Sequence, residues 1–71
     1  MGEVTFVVRG LSDADMAEQV EATLYAKVGV HQVKADWESG RVWLSYDERV
    51  VPQPRLRTYV QSSGVSVVGL A

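Results

Sequence analysis

Residues 30–46 read VHQVKADWESGRVWLSY, and apolar side chains occupy every second position on both sides of the segment 38–40. Such alternation is typical of β-strands that have one covered face. The glycine in the middle segment indicates a turn, so we predict a hairpin with strands over 30–37 and 41–46. The alternating apolar residues are Val33, Ala35, Trp37, Val42, Leu44 and Tyr46.

The residues before this hairpin predict a strand followed by a helix. Residues 4–9 are rich in β-branched side chains and end at Gly10, which indicates a strand and a turn. Ser12 is predicted to cap the helix, with Asp15 as the acidic arm of a capping box, and Gly29 to end it. The predicted buried stripe of this helix is Met16, Ala17, Val20, Leu24, Ala26 and Val28.

The residues after the hairpin predict a second helix and a last strand over 65–70. Pro52 and Pro54 are tolerated only before a helix or in its first turn, and Leu56, Tyr59 and Val60 are its predicted buried positions. The resulting order predicts an α+β, ferredoxin-like βαββαβ sandwich. Two helices cover one face of a four-stranded antiparallel sheet of order four, one, three, two, and residues 1–71 are predicted to form one domain.

Composition excludes several classes of function. The chain has 71 residues, 46% of them hydrophobic and 23% charged, and a formal net charge of -2, so no basic surface for nucleic acid is expected. No apolar run approaches the roughly 20 residues that span a bilayer, and residues at the start of the sequence do not match a signal peptide. We therefore expect a cytoplasmic protein without membrane insertion, or a soluble domain of a larger protein. The absence of cysteine excludes disulfides, thiolate nucleophiles and thiolate metal ligands.

Five short segments match the pattern of a known family. They are Gly10-Leu11-Ser12, Gly29-Val30 with Val33 and Ala35, the stretch VWLSYD at 42–47, Leu56 through Val60, and Gly64-Val65. At these separations they resemble the heavy-metal-associated domains of copper chaperones, mercury-binding proteins and metal-pumping P-type ATPases. The resemblance covers nearly the whole chain. It implies the βαββαβ fold and a partner among metal-transport proteins.

The sequence departs from this family at the residues that carry its chemistry. The resemblance places Asp13 and Met16 where the family has the two cysteines of its CxxC motif, and Val65 where copper-handling members often have tyrosine. In the family, two thiolates hold one soft ion in an open site. A carboxylate and a thioether do not match that ligand set, so we predict no thiolate metal site and no cofactor. The alternative is a weak site for another ion at Asp13 and Met16.

Other candidate chemical groups have simpler interpretations. Asp13 and Asp15 could form a cation site with Asp36 and Glu38 at the hairpin tip, but carboxylates in a first helical turn are already explained by capping. Met16 is equally explained by core packing. His31 is the only imidazole and is predicted to lie at the opposite end, on the surface. No nucleophile has a base at motif spacing, so no enzymatic activity is predicted.

Trp43 suggests an interaction surface. If its neighbours on both sides in sequence face the helices, Trp43 points to the open face of the sheet, where Val7 and Val68 also project. The three residues would then form one apolar patch, and such patches often mark interfaces. The alternative is a Trp43 shielded by the stems of nearby basic side chains. Trp37 is predicted to cover the edge of the core near the hairpin.

These observations favour a non-enzymatic, metal-free interaction or regulatory domain. By resemblance, its partner would be a metal-transport protein or a second copy of the chain. Two alternatives remain open: a non-thiolate metal-ion carrier that uses Asp13 and Met16, and a small-molecule-sensing domain, since ferredoxin-like folds support many unrelated functions.

Overall fold

The computed structural model describes residues 2–71, which form a four-stranded antiparallel sheet and two helices in the order βαββαβ. The sheet order is β2-β3-β1-β4. Both the α+β ferredoxin-like fold and the strand order are therefore confirmed. The strands are β1 Gly2–Arg9, β2 Val30–Asp36, β3 Arg41–Tyr46 and β4 Ser66–Leu70, and the helices are α1 Ala14–Tyr25 and α2 Gln53–Ser62.

The hairpin of β2 and β3 forms as predicted, with Lys34 opposite Trp43 and Asp36 opposite Arg41. At its tip, the Asp36 carboxylate accepts hydrogen bonds from the Glu38 amide at 3.1 Å and the Ser39 hydroxyl at 2.9 Å. These bonds end β2 at Asp36, one residue earlier than predicted. Trp37 therefore falls in the turn and is 44% exposed, so the prediction that it covers the core edge is wrong.

The first helix begins after Asp13 rather than after Ser12. The Asp13 carboxylate accepts the Met16 amide at 2.8 Å, which makes Asp13 the N-cap and removes the predicted capping box with Asp15. The helix also ends at Tyr25, before the predicted Gly29.

This early end shortens the buried stripe of α1. Val28, beyond the last turn, is 74% exposed, and Ala26 is also exposed, so both were wrongly predicted to be buried. Ala17, Val20 and Leu24 are buried, as predicted, while Met16 is half-buried against the core.

The second helix has Pro52 at its N-cap and Pro54 in its first turn, as predicted. Neither proline removes a helical hydrogen bond there. β4 starts at Ser66, one residue later than predicted, but Val65 before it is buried. No helix among residues 2–71 is long and apolar enough to cross a membrane.

The core lies between the two helices and one face of the sheet. Alternate residues of β1 and β3 meet side chains of both helices there. The central side chains are essentially inaccessible to solvent, so they fix the positions of the loops at both ends of the sheet. They are Phe6, Val20, Leu24, Val42, Leu44, Val51, Leu56 and Val60.

Candidate functional site

The loop between β1 and α1 and the first turn of α1 contain Asp13 and Met16, the positions where the resemblance places the family's cysteines. Gly10 turns the chain out of β1 with φ of +94°, a conformation that side chains rarely adopt. Leu11 is buried and anchors the loop in the core. The loop passes Gly64 and Val65, whose atoms would lie 3.8 Å from a Cβ at Gly10. The start of β4 therefore forms one side of this site.

Asp13 and Met16 are brought together, but by helix capping. The 2.8 Å bond joins the Asp13 carboxylate to the backbone amide of Met16, while the Met16 side chain packs against the core. Its terminal methyl would lie 3.0 Å from a Cβ at Gly64, so the thioether stands close to the backbone there. This donor pair does not fit the two-thiolate site implied by the resemblance, because neither residue supplies a thiolate.

The acidic residues at this end do not form a cluster. The hairpin tip does lie beside the loop, since the Gly40 carbonyl accepts the Val8 amide at 2.8 Å. However, the Asp36 carboxylate is held in the turn by Glu38 and Ser39. Within residues 2–71, no group of three or more histidine and acidic side chains is placed to hold a metal ion.

His31 lies at the other end of β2, at an irregularity in the pairing with β3, and is exposed. Near it, the Asp47 carboxylate accepts hydrogen bonds from the Arg49 side chain at 3.2 Å and the Arg49 amide at 2.9 Å. These bonds lower the pKa of Asp47 and raise that of Arg49, and the charge of His31 adds slightly to the lowering. The arrangement fixes the turn after β3.

Trp43 is half-buried, and its direct cross-strand neighbours are Thr5 on β1 and Lys34 on β2. Val7 lies opposite Arg41 and is thus a diagonal neighbour of Trp43. Val68 lies on β4, two strands from Trp43, at a bulge between the pairs that join β1 and β4. The three predicted interface residues therefore lie on three neighbouring strands, β3, β1 and β4.

Sequence reasoning missed a groove between α2 and β4. It has a volume of about 480 Å³ and is lined mainly by apolar residues, together with Gln53 and Arg57. Leu70 at its rim is 59% exposed. The sequence alone gave no signal for this groove, since its lining comes from β1, α2 and β4, which only the fold brings together. Its lining includes Phe6, Pro54, Arg57, Val67 and Leu70.

Comparison with known proteins found relatives by structure and not by sequence. No protein-family model matches the chain. No curated protein matches it either.

Solved structures match over almost the entire chain. The CopZ metallochaperone has a TM-score of 0.86 and 25% identity, covering 94% of this chain and 100% of its own. A copper-binding domain from HMA7, a P-type ATPase, has a TM-score of 0.92 and 22% identity, covering 100% and 96%. Oxidized MerP from Ralstonia metallidurans CH34 has a TM-score of 0.81 and 20% identity, covering 94% and 96%.

The fold and these neighbours define the class of the chain. It has the structure of a heavy-metal-associated domain, with the fold of copper chaperones, and the resemblance inferred from the sequence is confirmed. It differs from the pattern of that family in having no cysteine at any position, so the CxxC motif is absent.

Proposed function

We propose that this chain is a non-enzymatic interaction or regulatory domain connected with metal transport, and that it works without a bound metal ion. The observation that carries the proposal is the use of Asp13 and Met16. One caps α1 and the other packs on the core, at the two positions where the resemblance places the family's thiolates. These contacts give both Asp13 and Met16 a structural role, so no ion is needed to explain either residue.

The connection with metal transport rests on the structural neighbours. They include a metallochaperone and a copper-binding domain of a P-type ATPase. On the basis of this resemblance, we propose that the partner is a metal-transport protein or a second copy of the chain. The surface proposed for that contact is the open face of the sheet around Val7, Trp43 and Val68.

A metal titration tests the metal-free role. The purified protein is titrated with Cu(I), Zn(II) and Ca(II) in turn while the backbone amide shifts are followed. We expect only weak, scattered shifts. Tight, saturable shifts confined to residues 10–16 would instead support the alternative, a carrier that binds its ion through Asp13 and Met16.

Replacing Trp43 tests the interaction surface. Trp43→Ser should leave the fold intact, because the side chain lies outside the core, and should reduce self-association if this face joins two copies. The measurement is the molar mass at several concentrations by analytical ultracentrifugation. Val50→Ser, at an exposed apolar residue outside the sheet, is the control. An equal dependence of mass on concentration in wild type and Trp43→Ser would count against this surface.

A further inference from the structure

The two edges of the sheet differ in how their backbone groups are covered. On β2, the Ala35 amide donates to the Glu21 carboxylate of α1 at 2.9 Å, and the Tyr25 hydroxyl lies 3.5 Å from the Val33 carbonyl oxygen. Two outward-facing groups of that edge, the Ala35 amide and the Val33 carbonyl, are therefore bonded to side chains of α1. Such coverage prevents a further strand from pairing there.

The β4 edge has outward-facing backbone groups too. The Ala71 amide donates to Thr5, and the Val8 amide donates to Gly40, so alternate residues of β1 bond to β4 and to β3. Leu70 pairs with Phe6, and Val67 with Val8, at positions where β1 bonds to β3. The amide and carbonyl groups of Leu70 and Val67 must then point away from the sheet.

The groove described above runs beside this edge and is apolar at its base. Phe6 and Val67 line it from the sheet, and Pro54 and Arg57 line it from α2. The exposed side chain of Leu70 stands at the rim. A strand laid along β4 could therefore pair with the backbone and also place an apolar side chain in the groove.

Charge identifies the chemistry of such a strand. Residues 49–71 hold three arginines and no acid, and Arg57 is the one charged residue in the groove lining. Glu3 lines the neighbouring depression with Gln53, Leu70 and Ala71. Among residues 2–71, only Arg49 of the three arginines forms an ion pair, with Asp47. Arg57 in the groove therefore presents its charge to whatever lies there, and complementarity favours an acidic occupant.

We propose that the β4 edge and its groove bind an extended, acidic segment of another protein, with alternating apolar side chains, by strand addition. A second copy fits less well. Pairing β4 with β4 about a two-fold axis would bring two Arg57 side chains towards each other, and pairing β4 with β2 is prevented by Glu21. The proposal rests on the interaction role proposed above and names the chemistry of its partner.

A designed peptide tests this proposal. The probe is EVELDVEL with both ends blocked, titrated into the 71-residue protein while amide shifts and fluorescence anisotropy are followed. We expect saturable shifts in residues 53–57 and 67–71. Arg57→Glu should weaken binding by about tenfold or more, because it turns an attraction into a repulsion. Lys34→Glu, which makes the same charge change on the open face, should have less than about a twofold effect, since exposed charges at that distance are screened.

Two variants of Leu70 separate backbone pairing from side-chain contact. Leu70→Pro removes an amide that faces outward and takes no part in the β1–β4 ladder, while Leu70→Ala keeps that amide. Strand addition predicts weaker binding by Leu70→Pro than by Leu70→Ala, with unchanged shifts in the core. The proposal is overturned by the absence of saturable binding, by shifts centred on Trp43, or by equal effects of Arg57→Glu and Lys34→Glu. None of these results depends on the metal titration, so the two proposals fail separately.

Discussion

Helix capping explains why a carboxylate stands at position 13, without any bound ion. It accepts the Met16 amide in the first turn of α1, where a negative charge also interacts favourably with the helix dipole. An exposed carboxylate that caps a helix has one clear structural role. This role explains Asp13, which stands where the resemblance places the first cysteine of the family.

The capping role makes a quantitative prediction. Asp13→Ala should lower the free energy of unfolding by about 0.5–2 kcal/mol, since it leaves the Met16 amide without its acceptor. Ser12→Ala is the matched control, because Ser12 is exposed and makes no cap, and should change stability by less than about 0.5 kcal/mol. Urea denaturation measures both. A larger loss from Ser12→Ala would show that the cap is misassigned.

The contact between Asp47 and Arg49 should make the free energy of unfolding depend on pH. Its pKa in the folded protein is lowered, chiefly by the hydrogen bond from the Arg49 side chain. A lowered pKa means that the stabilisation is complete above the unfolded value of about 3.9 and is lost as the pH falls through the folded value. Arg49→Gln should therefore flatten the acid side of the stability profile.

The control for this profile is Arg55→Gln, which removes the same charge from α2. Urea denaturation at a series of pH values from about 2 to 6 covers the range in which the carboxylate titrates. If Arg49→Gln and Arg55→Gln reduce the dependence of the free energy of unfolding on pH equally, then net charge, and not the contact with Asp47, causes that dependence.

At the scale of elements, α1 covers the outer edge of β2 as well as the core. The bond from Ala35 to Glu21 joins residues 14 positions apart in sequence. Glu21→Ala should expose the Ala35 amide and speed its hydrogen exchange about tenfold, the equivalent of losing one hydrogen bond of about 1.4 kcal/mol. Glu21→Gln keeps an acceptor oxygen and should retain most of the protection. Unchanged exchange in Glu21→Ala would refute the covered edge.

Element types were predictable from the sequence, but their ends were less so. The alternation in 30–46 was sufficient for the hairpin because strands show their covered face every second residue. Trp37 and Val28 were misplaced because each continues its pattern after the backbone has already turned. The turns are set by local bonds, such as those of Asp36, that periodicity does not reveal.

The same distinction holds for the candidate site. Asp13 and Met16 were found from the family pattern, because a motif fixes positions along the chain. The groove under Leu70 and the covered edge at Glu21 could not be found this way, since each depends on residues that only the folded sheet brings together. The resemblance thus singled out Asp13 and Met16, whose relation to the family's ligands stays a prediction, and it gave no indication of the groove.

At the scale of the whole molecule, the heavy-metal-associated fold is kept without cysteine. The core of this chain consists of apolar side chains, and no buried polar or charged residue lies among residues 2–71. Burial of apolar surface stabilises such a core without help from a metal ion. This fold can therefore form in a chain that has no cysteine.

The most direct test of this account compares Cu(I) retention by the wild-type chain and by the double variant Asp13→Cys, Met16→Cys. Each protein is loaded anaerobically with Cu(I) and challenged with a coloured Cu(I) chelator. We predict that the wild type transfers all of its copper to the chelator immediately, whereas the double variant retains copper. The reason is that two thiolates at these positions supply soft ligands on the same fold. Retention of copper by the wild type as strongly as by the double variant would contradict the central claim.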